Sequence, residues 1–166
     1  MSDTAAQRIS VTRQVAAPAS RIFAVLSHPK GHVAIDGSGM LMAAPNAQPL
    51  RAVGDTFLMD MDREPLGDIP MGKYQVQNKV TRFKQDEELA WLVGAEGRTP
   101  IGHVYGYQLE PITDTDTLVS SYCDWSGVSE KWLARMAWPV VPVEALERSM
   151  DNLQQLVENQ KAPSVS

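Results

Sequence analysis

His103, Tyr105 and Tyr107 stand at alternate positions, a spacing that puts their side chains on one face of a β-strand. A histidine and a tyrosine side by side in a dry pocket polarise a ketone and move a proton, as an intramolecular aldol step requires. His103 and Tyr105 are therefore the candidates for acid–base chemistry. Against this, no nucleophile or orienting group stands beside them in the sequence, and the same face can point to solvent or hold a structural histidine. A second constellation, His28, His32 and Asp36, is spaced by four and four. On an unbroken helix those residues would share a face and ligate a metal. Pro29, Gly31 and the Asp36-Gly37 turn interrupt such a helix, so no metal site is expected. His32 and Asp36 are placed instead at the entrance of a pocket, with a turn role for Asp36 equally open.

Other signatures are missing. Gly37-Ser38-Gly39 lacks the last glycine of a dinucleotide loop and the Gly-Lys-Ser/Thr of a phosphate loop. Ser38 has no nucleophile-elbow context, and Cys123, followed by Asp124 in a strand, reads as a small buried hydrophobe rather than a thiolate. No cofactor is expected.

The apolar candidates are more numerous. Met40, Met42, Met59, Met61 and Met71 are five of the eight methionines and fall in the first half of the expected sheet. Methionine is flexible and polarisable, suited either to a surface that accepts varied apolar shapes or to filling core gaps. Tyr74, Trp91, Tyr105, Tyr107 and Tyr122 in strands, with Trp132 and Trp138 near the last helix, add rings whose polar ends need partners. The expected ligand contacts begin with His32 and Asp36. Met59, Met61, Tyr74 and Trp91 follow from the early strands, His103, Tyr105 and Tyr107 from a later one, and Trp138 and Met150 from the C-terminal part.

The elements that must position these residues are legible from periodicity. Val143, Leu146, Met150, Leu153 and Val157 recur every three or four residues, predicting a helix over Val143 to Gln160. Glu144, Glu147, Arg148, Asp151, Asn152, Gln154, Gln155 and Glu158 form its solvated face. Pro142 suits its first turn, and burying the stripe contributes on the order of 10 kcal/mol at most. Upstream, Arg8 to Val15 reads as a strand, Ala17 to Leu26 as a short helix, and Lys30 to Ile35 as a second, broken from the first at His28-Pro29. Met40 to Ala44 opens another strand. The alternations Phe57/Met59/Met61, Tyr74/Val76/Asn78/Val80, Leu89/Trp91/Val93 and His103/Tyr105/Tyr107/Leu109 predict antiparallel strands with one buried face, the last ended by Pro111. Leu118 to Trp125 is a further strand of unclear parity, and Trp132 to Val141 an apolar approach to the last helix. The fold class is therefore α+β: about seven strands in a curved sheet around a long C-terminal helix, with a two-layer sandwich lacking a cavity as the alternative.

Composition sets outer bounds. The 166 residues suit one domain, 1–166, with flexible tails at about 1–7 and 161–166. A net charge of −5, with 15 basic residues in no run, argues against nucleic acid and anionic membrane surfaces. One cysteine excludes an internal disulfide, and no apolar run reaches a membrane span, so a cytoplasmic monomer or homodimer is expected.

An opening strand runs into Val15-Ala16-Ala17-Pro18-Ala19-Ser20-Arg21-Ile22-Phe23, and His32-Val33-Ala34-Ile35-Asp36-Gly37-Ser38-Gly39 follows. In these stretches the chain resembles the SRPBCC superfamily, whose helix-grip fold is shared by START lipid-binding domains, pollen-allergen-like proteins and polyketide cyclases. The resemblance continues in Tyr107-Gln108-Leu109-Glu110-Pro111 with the strand from Thr117 to Gly127, and covers residues 8 to 160. It implies a cavity between sheet and terminal helix that binds a lipid-, polyketide- or aromatic-like molecule. Alternatives are a polyketide cyclase or dehydratase using that cavity, and a protein-interaction module in which the cavity is vestigial.

Overall fold

The computed structural model describes residues 6–95 and 97–159. The expected tails fall almost wholly outside those residues, as does Gln160 at the end of the last predicted helix. Seven strands form one antiparallel sheet: β1 (Arg8–Val15), β2 (Leu41–Ala43), β3 (Thr56–Asp62), β4 (Lys73–Lys84), β5 (Glu88–Gly94), β6 (Val104–Thr113) and β7 (Asp116–Asp124). Their order is β1-β7-β6-β5-β4-β3-β2, so the first strand pairs with the last and β2 forms the far edge. Two short helices, α1 (Ala19–Leu26) and α2 (Pro29–Ile35), follow β1, and α3 (Glu130–Arg135) precedes the long α4 (Val143–Asn159). The sheet curves, and the helices cover part of its concave face: this is the expected helix-grip arrangement.

Register carries the alternation into three dimensions, because residues directly opposite in an antiparallel ladder point to the same face. Ile9, Cys123, Tyr105, Trp91 and Val80 make one row across five strands. Val11, Ser121, Tyr107, Leu89 and Phe83 make the next. Both rows face the helices. The parity of β7 is thereby settled: Val119, Ser121 and Cys123 point inward, whereas Ser120 and Tyr122 point out. Tyr122, expected among the lining rings, instead lies on the convex side over Gly106, where an added Cβ would stand 2.5 Å from its ring, with the Arg8 guanidinium 3.9 Å from its centroid.

α4 lies over β1 with Leu146, Met150, Leu153 and Val157 buried and Val143 half-buried. Its polar side is less solvated than the pattern suggested. Asp151 pairs with Arg13, Glu158 accepts from Ala16 N at 2.9 Å, and Gln154 Nε2 donates to Gln14 O at 3.3 Å. Toward α2, Ser149 Oγ accepts from Gly37 N at 2.8 Å, Arg148 Nε donates to Gly37 O at 2.8 Å, and Asn152 Nδ2 donates to Ile35 O at 3.0 Å. A Cβ on Gly37 would lie 2.6 Å from both Ala145 O and Ser149 N, so the loop approaches α4 backbone to backbone.

Three further expectations need correction. β6 continues through Pro111 to Thr113, the proline falling near the strand end where the register to β7 shifts and a missing ladder donor is tolerated. The apolar approach to the last helix folds its first residues into α3. Met42 and Met71 are 46% and 48% exposed, so two of the five methionines lie outside the core.

Candidate functional site

The concave face divides into a filled half and an open half. In the filled half, α2 lowers His32 onto Trp91, the rings stacked at 4.6 Å, with Phe57 edge-on to His32 at 5.4 Å. His32 Nε2 donates to Leu26 O at 2.7 Å, since a carbonyl can only accept. Burial lowers its pKa to about 4, so the ring is neutral near pH 7. Asp36 is equally committed: one carboxylate oxygen accepts from Ser38 N and Ser38 Oγ at 3.0 and 2.7 Å, the other from Leu41 N at 3.2 Å. The two residues expected at an entrance thus hold the α2–β2 loop in place. Met59 and Met150 are 1% and 0% exposed in the same packed core. Tyr107 is buried beside Ser121, and burial pushes its phenol up to about 12.

The open half lies toward β3, β4 and the start of β6, away from the strands that α4 covers. Met61, Tyr74, Val76, Val93 and Tyr105 face the concave side here and are only half-buried, an apolar patch at the edge of the core. Two buried polar residues share one row beside this patch. β4 places Asn78 opposite Phe57 on one side and Val93 on the other, and Val93 N bonds to His103 O at 3.4 Å just before β6. Asn78 and His103 therefore flank Val93. Each is 5% exposed, and neither Asn78 Oδ1 nor His103 Nδ1 has a partner among the described residues.

His103 is the boundary of this patch. Its ring meets Tyr105 edge-on at 5.7 Å and Trp138 at 5.1 Å, and Trp138 is held by its Nε1 donating to Trp132 O at 3.1 Å. Burial first, and then the charge of Arg63, lower the His103 pKa to about 4. Arg63 is 5% exposed and binds Asp68 through two bonds, Nε to Oδ1 at 3.0 Å and an Nη to Oδ2 at 2.8 Å. That pair raises the guanidinium pKa and lowers the carboxyl, each chiefly through the bond to the other. Burial holds the Tyr105 phenol well above its usual range, and pushes the adjacent Cys123 thiol to about 12. The cluster at neutral pH is therefore a neutral imidazole, the neutral Tyr105 phenol, a thiol and one ion pair.

Of the residues singled out by sequence, Met61, Tyr74, His103, Tyr105 and Trp138 gather on or around the open half, whereas Trp91 is buried in the core under His32. His32, Asp36, Met59, Tyr107 and Met150 lie in the packed half or its loop. Arg63, Asp68 and Asn78 were not foreseen as site residues. Arg63 had one legible signal: it continues the parity of Phe57, Met59 and Met61. Among the described residues no group of three or more His, Cys, Asp or Glu is placed to hold a metal, and no helix is long and apolar enough to cross a membrane.

No family model matches the chain. Rv0088, an uncharacterized protein of Mycobacterium tuberculosis, is 29% identical over 123 residues, 74% of this chain and 50% of that protein. The chain thus spans about half the length of the curated relatives it matches. Among solved structures, protein Ms6760 from Mycobacterium smegmatis superposes with a TM-score of 0.65 at 17% identity, covering 92% of each chain. Norcoclaurine synthase from Thalictrum flavum, a point mutant in complex with a transition-state analogue, superposes at 0.62 with 16% identity, over 98% of this chain and 100% of that one. These likenesses concern the fold.

Proposed function

We propose that this chain, which has the helix-grip fold of the SRPBCC superfamily, binds a hydrophobic small molecule on the open half of its concave face. One observation carries the proposal: Met61, Tyr74, Val76, Val93 and Tyr105 form a half-buried apolar patch on the concave side, bordered by buried polar side chains. An apolar surface with a few fixed polar groups is the general make-up of a ligand site, burial supplying affinity and the polar groups orientation. The ligand class is lipid-, polyketide- or aromatic-like, seated toward β3–β6 rather than between the sheet and α4. The space under α2 is already filled by the stacked His32–Trp91 pair.

Binding is favoured over acid–base catalysis by the state of His103. A histidine titrating at about 4 is a weak base at neutral pH, better suited to holding a hydrogen bond than to abstracting a proton. Thermal denaturation with a panel of fatty acids, flavonoids and aromatic polyketides tests the proposal. A ligand at a hundred times its Kd stabilises the folded chain by about 2.7 kcal/mol. The expected result is a raised midpoint for at least one class, abolished by Val76→Lys, which sets a charge in the patch. No rise with any class, or an equal rise in Val76→Lys, would overturn the proposal.

A further inference from the structure

We infer that the proposed site takes a ligand with a carboxylate head, which displaces Asp68 from the Arg63 guanidinium and lays its apolar body over Met61 and Tyr74. The inference rests on the binding site proposed above and specifies the chemistry at one end of it. Arg63 N donates to Gly72 O at 2.9 Å, so the β3–β4 ladder runs on past Met61 and Tyr74, which stand opposite each other. Two residues beyond Met61, Arg63 shares its face and ends the row that leads to the half-buried patch. Among the described residues it is the one permanently charged side chain that is buried. The Tyr74 phenol lies beside its guanidinium, and its charge is felt at His103 and Tyr105.

The two halves of the Arg63–Asp68 pair are unequal. The Arg63 side chain is 6% exposed and the Asp68 side chain 40%. Asp68 stands in a turn after the left-handed Gly67, and apart from Arg63 its carboxylate meets only the backbone of that turn, with Ile69 N at 2.7 Å. Released, Asp68 rehydrates at small cost, whereas Arg63 left alone would be a buried, unpaired charge. A ligand carboxylate meets that need, because it presents the same two oxygens to the same planar fork. A carboxylate fits better than a phosphate: one guanidinium matches a single negative charge, and His103 and Tyr105 nearby are neutral.

Decanoate, 1-decanol, 2-naphthoate and 2-naphthol test this, titrated by tryptophan fluorescence against the full chain at pH 7. Each acid is expected to bind about tenfold tighter than its hydroxyl counterpart, the worth of one charge-assisted contact. Asp68→Asn removes the competing charge and should tighten both acids about tenfold further, leaving the two hydroxyl compounds where they were. Arg63→Met should erase the advantage of the acids. In the unmodified chain the Asp68 carboxyl ¹³C resonance should move with the acids and stay in place with the hydroxyl compounds, a readout that needs no variant to fold. A lead for decanoate or for 2-naphthoate separates an aliphatic from an aromatic acid, and either supports the inference. Equal affinity for acids and hydroxyl compounds, or acids weakened by Asp68→Asn, would overturn the inference and leave the binding site standing. Failure of all four probes beside a flavonoid or polyketide that binds would do the same, and failure of every compound would overturn both.

Discussion

Replacing His103 by phenylalanine should make the fold more stable. The imidazole is 5% exposed, lies edge-on against Tyr105 and Trp138, and buries Nδ1 with no partner among the described residues. Phenylalanine keeps the ring and removes the unmet polar atom, a change worth about 1–3 kcal/mol at pH 8. A second contribution appears in acid. The unfolded ring takes up its proton near 6.5, whereas the folded ring stays neutral down to about 4. This contribution is therefore full above 6.5, is lost progressively as pH falls through that window, and is gone below about 4. At 1.36 kcal/mol per unit the whole loss is about 3 kcal/mol, of which about 2 has accrued by pH 5. Urea denaturation of both proteins at pH 8 and pH 5 reads the two contributions, and the advantage of His103→Phe should grow by about 2 kcal/mol between them. The acid loss that remains belongs to His32, whose pKa is lowered to about 4 by the same cause. A variant less stable than the parent at pH 8, or an advantage that does not grow in acid, would show that His103 is not a buried, unsatisfied group.

Gly37→Ala should destabilise by about 1–3 kcal/mol in urea melts, since its Cβ would meet α4 backbone at 2.6 Å. A change under about 0.5 kcal/mol would mean that the α2–α4 contact yields easily. Asp68→Asn leaves the Arg63 guanidinium 5% exposed without its carboxylate, and should cost about 1–2 kcal/mol at pH 7. That lies below the cost of a fully buried pair because the Asp68 side chain is 40% exposed and solvent screens it. Because the Asp68 pKa is lowered, the cost should vanish as pH falls through the carboxylate range, and a loss persisting unchanged below pH 3 would contradict the ion-pair account.

Much of the fold could be read from alternation. Phe57/Met59/Met61 and Tyr74/Val76/Asn78/Val80 gave the right parity because one face of each strand is buried, and a one-residue slip would have turned every apolar side chain to water. β7 was ambiguous because Leu118 and Val119 are both apolar; only pairing with β1 and β6 decides between them. The placement of His103 inside, next to Tyr105, follows from parity once the direction of the face is known. The division of the concave face was not legible. It depends on which strands the helices reach, and no local pattern states that α2 stacks His32 on Trp91 while Val76 and Val93 stay half-buried. Arg63 and Asp68 were missed for a similar reason: a five-residue loop pairing has no periodicity, and a lone arginine after a strand reads as solvated.

The placement of the ligand is most directly tested by methionine methyl NMR during titration with whichever fatty acid, flavonoid or aromatic polyketide raises the melting midpoint. Met61 faces the concave side and is half-buried, Met42 is exposed on β2, and Met150 is sealed on the buried face of α4. The account predicts a saturable shift of the Met61 methyl with Met42 and Met150 unmoved. Saturable shifts confined to Met42, or to Met150, would put the molecule elsewhere and contradict it.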